Sequence, residues 1–260
     1  MYSKPFDSKP ASITQQAVAQ NFSKNEKYRR ELAVKNKNVY YGNLADYLNR
    51  FNQEQKMTIV NLVKPIVSKR ASMLYGAPLV RELEGPSVSV AALEQVYADN
   101  DYDAFLGQVD LLAELTGSVL VSPVPNEELQ GGIKLIPYDG SMLSALPSEE
   151  DPTEPVALSL LKTIYRLVST YESNNPQMES LLREEIWTDD SITVRISRQG
   201  DNPAVTEETI PNELGYMPFT IFKGEDVPNK YLGTSPTTNL AELNIAYNQL
   251  LTDLNYTVKM

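Results

Sequence analysis

Four aspartates in the run DNDYDAFLGQVD, residues 99–110, occupy the first, third, fifth and twelfth places of a calcium-binding loop: Asp99, Asp101, Asp103 and Asp110. Oxygen ligands at that spacing enclose a hard cation only if the chain turns sharply at the sixth place, which glycine permits. Ala104 stands there, and the twelfth place holds the short Asp110 instead of a reaching glutamate. Phe105 to Leu115 also carries helical periodicity, which would draw the four carboxylates apart. The same aspartates fit better as a cluster at a helix start, favoured by the positive end of the helix dipole. Other chemistry is narrowed by inventory. The chain has no cysteine and no histidine, which removes disulfides, thiolate nucleophiles, the usual zinc sites and every His-dependent triad. It contains no P-loop, no dinucleotide-binding glycine cluster and no nucleophile elbow. Glutamate pairs begin at 149, 184 and 207, beside turns or on strands of polar alternation, and no spacing marks one of them for acid-base work. Trp187, the single tryptophan, reads as a strand anchor. No cofactor and no enzymatic activity are expected.

At 260 residues, with 42% apolar and 22% charged, the chain can bury a sizeable core. The 23 Lys+Arg against 34 Asp+Glu leave a net charge of −11, which repels phosphate polymers and disfavours tight nucleic-acid binding. No apolar run approaches the ~18 residues of a spanning helix, and the first residues lack the apolar core of a secretory signal, so no membrane partner is expected.

The elements that would position these residues follow from periodicity. Residues 1–37 read as a flexible arm that turns basic near its end, where Lys24, Lys27, Arg29, Arg30, Lys35 and Lys37 could touch DNA or an acidic neighbour, or simply line a solvated helix face. Residues 52–75 predict an amphipathic helix kinked or split at Pro65 and stopped by Gly76 and Pro78. Further helices are predicted near 89–98 and 103–116, the latter ended by Gly117. Beyond it, SVLVSPV, GIKLIPY, PVALSLLKTIYRLVSTY, LLREEIWT, SITVRIS and MPFTIFK read as antiparallel strands joined by hairpins.

A dense series of Gly and Pro between Gly215 and Pro236 then gives way at once to a helix, with Ser235 as its expected N-cap and Pro236 at its first position. Leu240, Leu243, Tyr247, Leu250, Leu254 and Val258 recur at intervals of three and four and predict a packing stripe. Glu242, Gln249 and Asp253 lie off the stripe on a polar, mildly acidic face. No stop signal follows, so the helix is expected to be cut off rather than finished. Helices, then strands, then a helix make an α+β order.

Taken in order, VNLVKPIVSKRASMLYGAP, FLGQVDLLAELTGSVLVSPV, GGIKLIPYDGSMLSALP, LLREEIWTDDSITVRIS and NELGYMPFTIFKGEDVPNKYLGTSPTTNLAELNIAYNQLLTDLNY resemble the portal proteins of tailed bacteriophages, in particular the Gp6-like portal family. The resemblance runs from about Asn38 to the end. It implies a flexible arm at 1–37, an α+β wing at 38–234 and the start of a stem helix at 235–260. It further implies a virion protein at one vertex of the capsid, assembled in the host cytoplasm. There it would form a dodecameric ring with copies of itself, contact the major capsid or scaffolding protein, and pass double-stranded DNA weakly and without sequence preference during packaging and ejection. Glu242, Gln249 and Asp253 would face the channel, and the leucine stripe would pack on neighbouring helices. The clip, return helix, tunnel loop and crown of that family have no counterpart here, so contacts to terminase and to the head-tail adaptor attach to no residue of this chain. The rival expectations are another virion component, such as a head-tail adaptor or minor capsid protein, and a carboxylate-dependent hydrolase.

Overall fold

The computed structural model describes residues 24–48, 59–75, 79–168, 177–198 and 206–259. The helices are α1 (Lys24–Tyr41), α2 (Ala45–Leu48), α3 (Val63–Tyr75), α4 (Ser87–Asp99), α5 (Tyr102–Thr116) and α6 (Thr238–Lys259). Between α5 and α6 run β1 (Ser118–Pro125), β2 (Ile133–Asp139), β3 (Leu143–Pro147), β4 (Pro155–Val168), β5 (Gln177–Trp187), β6 (Ser191–Arg198), β7 (Thr206–Pro211) and β8 (Thr220–Lys223). The architecture is α+β. One sheet has the order β2-β1-β8 and the other β3-β4-β5-β6-β7, and their strands pair antiparallel.

Helix α5 organises the fold because two of its faces are apolar. Phe105, Val109 and Ala113 pack on Val119 and Val121 of β1. Leu115 instead joins Val39 and Tyr40 of α1, Val63 and Val67 of α3, and Ala241 and Ile245 of α6. A third cluster, with Leu120, Leu143, Leu158, Leu160 and Leu232, holds the near end of the larger sheet; Trp187 packs against it and meets Phe219 edge to face at 4.9 Å. Trp187 therefore anchors a strand, as expected.

Three expectations change. The arm that turns basic before Lys37 is a core helix from Lys24 onward, with Ala33, Asn36, Val39 and Tyr40 buried at helical spacing. The Arg29 guanidinium pairs with Glu26 and donates to the carbonyls of Gly140 and Leu143, and Lys37 holds Asp139 at 2.6 Å. These cations grip the turn between the two sheets, which is why a helix with so many charges is buried. Residues 1–23 lie outside the described part. The helix expected over 52–75 begins at Val63. Residues 52–58 lie outside the described part, 59–62 are extended, and Asn61 Oδ1 accepts from Lys64 N at 3.0 Å as an N-terminal cap. Pro65 thus sits in the first turn, where its missing N–H leaves no bond unmade, and kinks nothing. Strands β3 and β7 go beyond the six runs read as strands; β3 is short and β7, a solvent-exposed edge, is mostly polar.

Gly117 ends α5 in the left-handed region at φ +84°, as its position predicts. It also opens the junction that launches α6. A Cβ on Gly117 would lie 2.8 Å from Ser235 N, and one on Gly233 would lie 2.6 Å from Glu225 O and 2.7 Å from Gly117 O. Two bonds lock this crossing, Gly224 N to Gly117 O at 3.0 Å and Gly233 N to Ser118 Oγ at 2.8 Å. The glycines and prolines before α6 let backbones pass at a distance no side chain allows.

Candidate assembly face and lining helix

Helix α6 starts two residues later than Ser235 as N-cap predicts. Thr237 fills the N-cap position, its carbonyl accepting from Ala241 N at 2.9 Å. Ser235 serves as a clasp instead: its Oγ donates to Glu114 O at 2.7 Å and accepts from Thr237 N at 3.1 Å and Asn36 Nδ2 at 3.0 Å. The start of α6 is thereby tied to α1 and to the end of α5.

At about 100° per residue, α6 divides into three faces. The inner face is Ala241, Asn244, Ile245, Asn248 and Thr252, all buried. Its asparagines bond an extended segment as a strand edge would: Asn248 Oδ1 accepts from Val60 N at 2.6 Å, Asn248 Nδ2 donates to Val60 O at 2.9 Å, and Asn244 Oδ1 accepts from Leu62 N at 3.0 Å. Asn248→Ala leaves the partly buried N–H and C=O of Val60 without these partners and is expected to cost ~1–3 kcal/mol. Chemical denaturation measures that loss, and amide exchange at Val60 and Leu62 should accelerate before global unfolding.

The leucine stripe forms the second face, and it is bare. Leu243, Leu250, Leu254 and Val258 are 68%, 69%, 59% and 77% exposed, and Tyr247 is also exposed; only Leu240 rests partly against the core. The face that fixes α6 within the chain is the one with Ala241, Asn244, Ile245, Asn248 and Thr252, so the stripe is left for something else. A second exposed row flanks it. Val60 and Leu62 are bonded to α6 through Asn248 and Asn244, and Ile59 and Leu62 before α3 and Ile66 and Met73 on it are all exposed. The two helices thus expose large apolar side chains of the kind that, where they cluster, mark an interaction site.

Glu242, Gln249 and Asp253 share the third face. The expected acidic character is partly cancelled, because Glu242 is ion-paired with Lys35 of α1. An open groove of about 590 Å³ runs beside this pair, lined by Lys27, Tyr28, Arg30, Leu32 and Tyr47 among others. Of the six basic candidates, Arg29, Lys35 and Lys37 are committed to internal partners, and Lys27 lies 4.0 Å from Glu31. Arg30 lines the groove with no ion-pair partner among the described residues. The side chain of Lys24 lies outside the described part.

The four aspartates do not meet. Asp99 accepts from Gly131 N at 2.6 Å and Gln95 Nε2 at 2.7 Å; Asp101 precedes α5 at φ +44°; Asp103 pairs with Arg81. Asp110, two turns further along α5, faces α3, so helix formation separates the ligands of a calcium loop. Among the described residues no group of three or more carboxylates is placed to hold a metal. Asp110 lies one turn from Glu114, and Glu114 takes Arg70 of α3 at 3.1 Å. Burial pushes both carboxyls above their ordinary range, with Arg70 pulling the other way and Asp110 adding to the rise at Glu114. Asp110 Oδ2 is buried without a hydrogen-bond partner. A raised carboxyl favours the fold most below its unfolded pKa, and that contribution is lost as pH rises through the folded value. Asp110→Asn should therefore raise the melting temperature at pH 7 by ~1–2 °C after allowance for solvent screening, and change it little at pH 4. Thermal melts at the two pH values, with Asp253→Asn as the exposed control, check the sign.

Compared with known protein families the chain matches none, and no curated protein matches it.

Proposed function

We propose that this chain is a subunit of a phage portal, the ring at the capsid vertex through which DNA is packaged and ejected, and that α6 begins the stem wall of its tunnel. The observation that carries this reading is the bare leucine stripe. A helix of 22 residues is fixed to its own domain by Ala241, Asn244, Ile245, Asn248 and Thr252, while Leu243, Leu250, Leu254 and Val258 point away from that domain. In water such a face is covered by another protein surface, and copies of the same helix in a ring cover it with least additional design. The Gly and Pro junction, rigidly bonded to α5, gives each copy the same launch angle, which a closed ring requires. The chain's net charge of −11 and the engagement of Lys35 and Lys37 by internal carboxylates suit a wall that DNA slides past, since dense free cations would hold phosphate.

Disrupting the gene in the genome that carries it is expected to yield heads without DNA, and immunogold against the chain should label one vertex per head in the intact virus. Label spread over the whole shell, or DNA-filled heads after disruption, contradicts the reading.

A further inference from the structure

Helix α4 poses a problem that the single chain does not solve. It is 13 residues long, carries no side-chain cap and buries none of its residues, yet it is rich in apolar side chains. Val88 is 80% exposed, Leu93 is exposed, and Val80 in the extended lead-in is 94% exposed. An isolated helix of this length is marginal in water, so a covering surface is expected to stabilise it. Its charges give the sign of that surface: Glu82, Glu84 and Glu94 have no ion pair among the described residues, and the one cation of the segment, Arg81, is taken by Asp103.

The chain itself carries the complement. Helix α3, VKPIVSKRASMLY, has no acidic residue. Its exposed row of Ile66 and Met73 has Lys69 beside it, with no ion pair among the described residues. The two surfaces are both exposed and are not packed on each other within one copy. Helix α3 meets α5 through Tyr75 on Gly107 and Arg70 on Glu114, whereas α4 meets it through the stacked rings of Tyr97 and Tyr102, roughly a third of a turn round α5.

We propose that residues 79–94 of one copy dock on the α3 face of the next, an apolar contact with matched charge, Glu82, Glu84 and Glu94 against Lys69. The contact joins two different surfaces, so it is heterologous and repeats from copy to copy, closing a ring when the rotation allows. It rests on the ring reading and names the partner surfaces within it: the α6 stripe faces the neighbouring stem helices while α3 receives α4.

The test uses two variants of the full chain, Lys69→Glu and Glu82→Lys/Glu84→Lys/Glu94→Lys, with sedimentation velocity as readout and far-UV melts as the check on folding. Each variant alone sets like charge against like and should associate at least ~30-fold more weakly than the wild type. An equimolar mixture restores opposite charges at every contact in alternating order, and should assemble again. If wild type assembles but the variants assemble equally well alone, or their mixture stays dissociated, the α3–α4 pairing is wrong and the ring reading stands. If wild type stays monomeric throughout, the ring reading falls and the pairing with it.

Discussion

Replacing Leu243, Leu250 and Leu254 together by glutamate should leave the single chain as stable as before and abolish its self-association. All three side chains are more than half exposed, and exposed substitutions away from special features shift stability by ~0.5 kcal/mol or less. Glutamate is also nearly as good a helix former as leucine, so α6 itself is not weakened. In an assembled ring the same side chains lie against another copy, where each glutamate brings an unpaired charge into an apolar contact at a cost of several kcal/mol. The outcome is thus an unchanged melting temperature beside complete loss of the large species in sedimentation. A fall in melting temperature of ~10 °C in the monomer would mean that the stripe is internal core.

The second large effect concerns folding. Gly117→Ala is expected to cost ~3 kcal/mol or more, because it combines a left-handed backbone position, worth ~1 kcal/mol, with a clash against backbone that cannot move aside. At φ +84° its new methyl would sit 2.8 Å from Ser235 N, in the crossing that launches α6. Gly132 supplies the control: it has φ +68° with nothing within 4 Å of a Cβ, so Gly132→Ala should cost only the backbone term, ~1 kcal/mol. Gly233→Ala, whose φ is not positive, isolates the close approach. Urea unfolding of the three variants separates strain from crowding. Equal losses for Gly117→Ala and Gly132→Ala would remove the junction from the account.

Elements whose own pattern settles their structure were legible. Helix α5, with Phe105 and Val109 on one face and Gly117 after it, was read within a residue of its bounds, and β4, β5 and β6 were evident from their β-branched and aromatic runs. What tertiary contacts decide was not legible. The cations of α1 suggested a solvated segment, since nothing local reveals that Arg29 and Lys37 reach residues 139–143. Pro65 signalled a break, and only the bonded position of 59–62 on α6 shows that it opens a helix.

The candidate site was half legible. The leucine stripe was legible as one face of a helix, but the face that anchors the helix was missed. Its signal was present as Ala241, Asn244, Asn248 and Thr252, a row of small and polar residues at helical spacing. A helix held between its own domain and a second surface carries two faces of different kinds, and hydrophobicity alone picks out the outer one. The acidic face of α6 is altered by Lys35, a partner of Glu242 that is 207 residues away in sequence.

Negative-stain electron microscopy of the purified chain at rising concentration tests the central claim most directly. Rings with a central hole, lost in the Leu243, Leu250 and Leu254 variant, are the predicted result. Compact single particles at every concentration, unchanged by that variant, would contradict it.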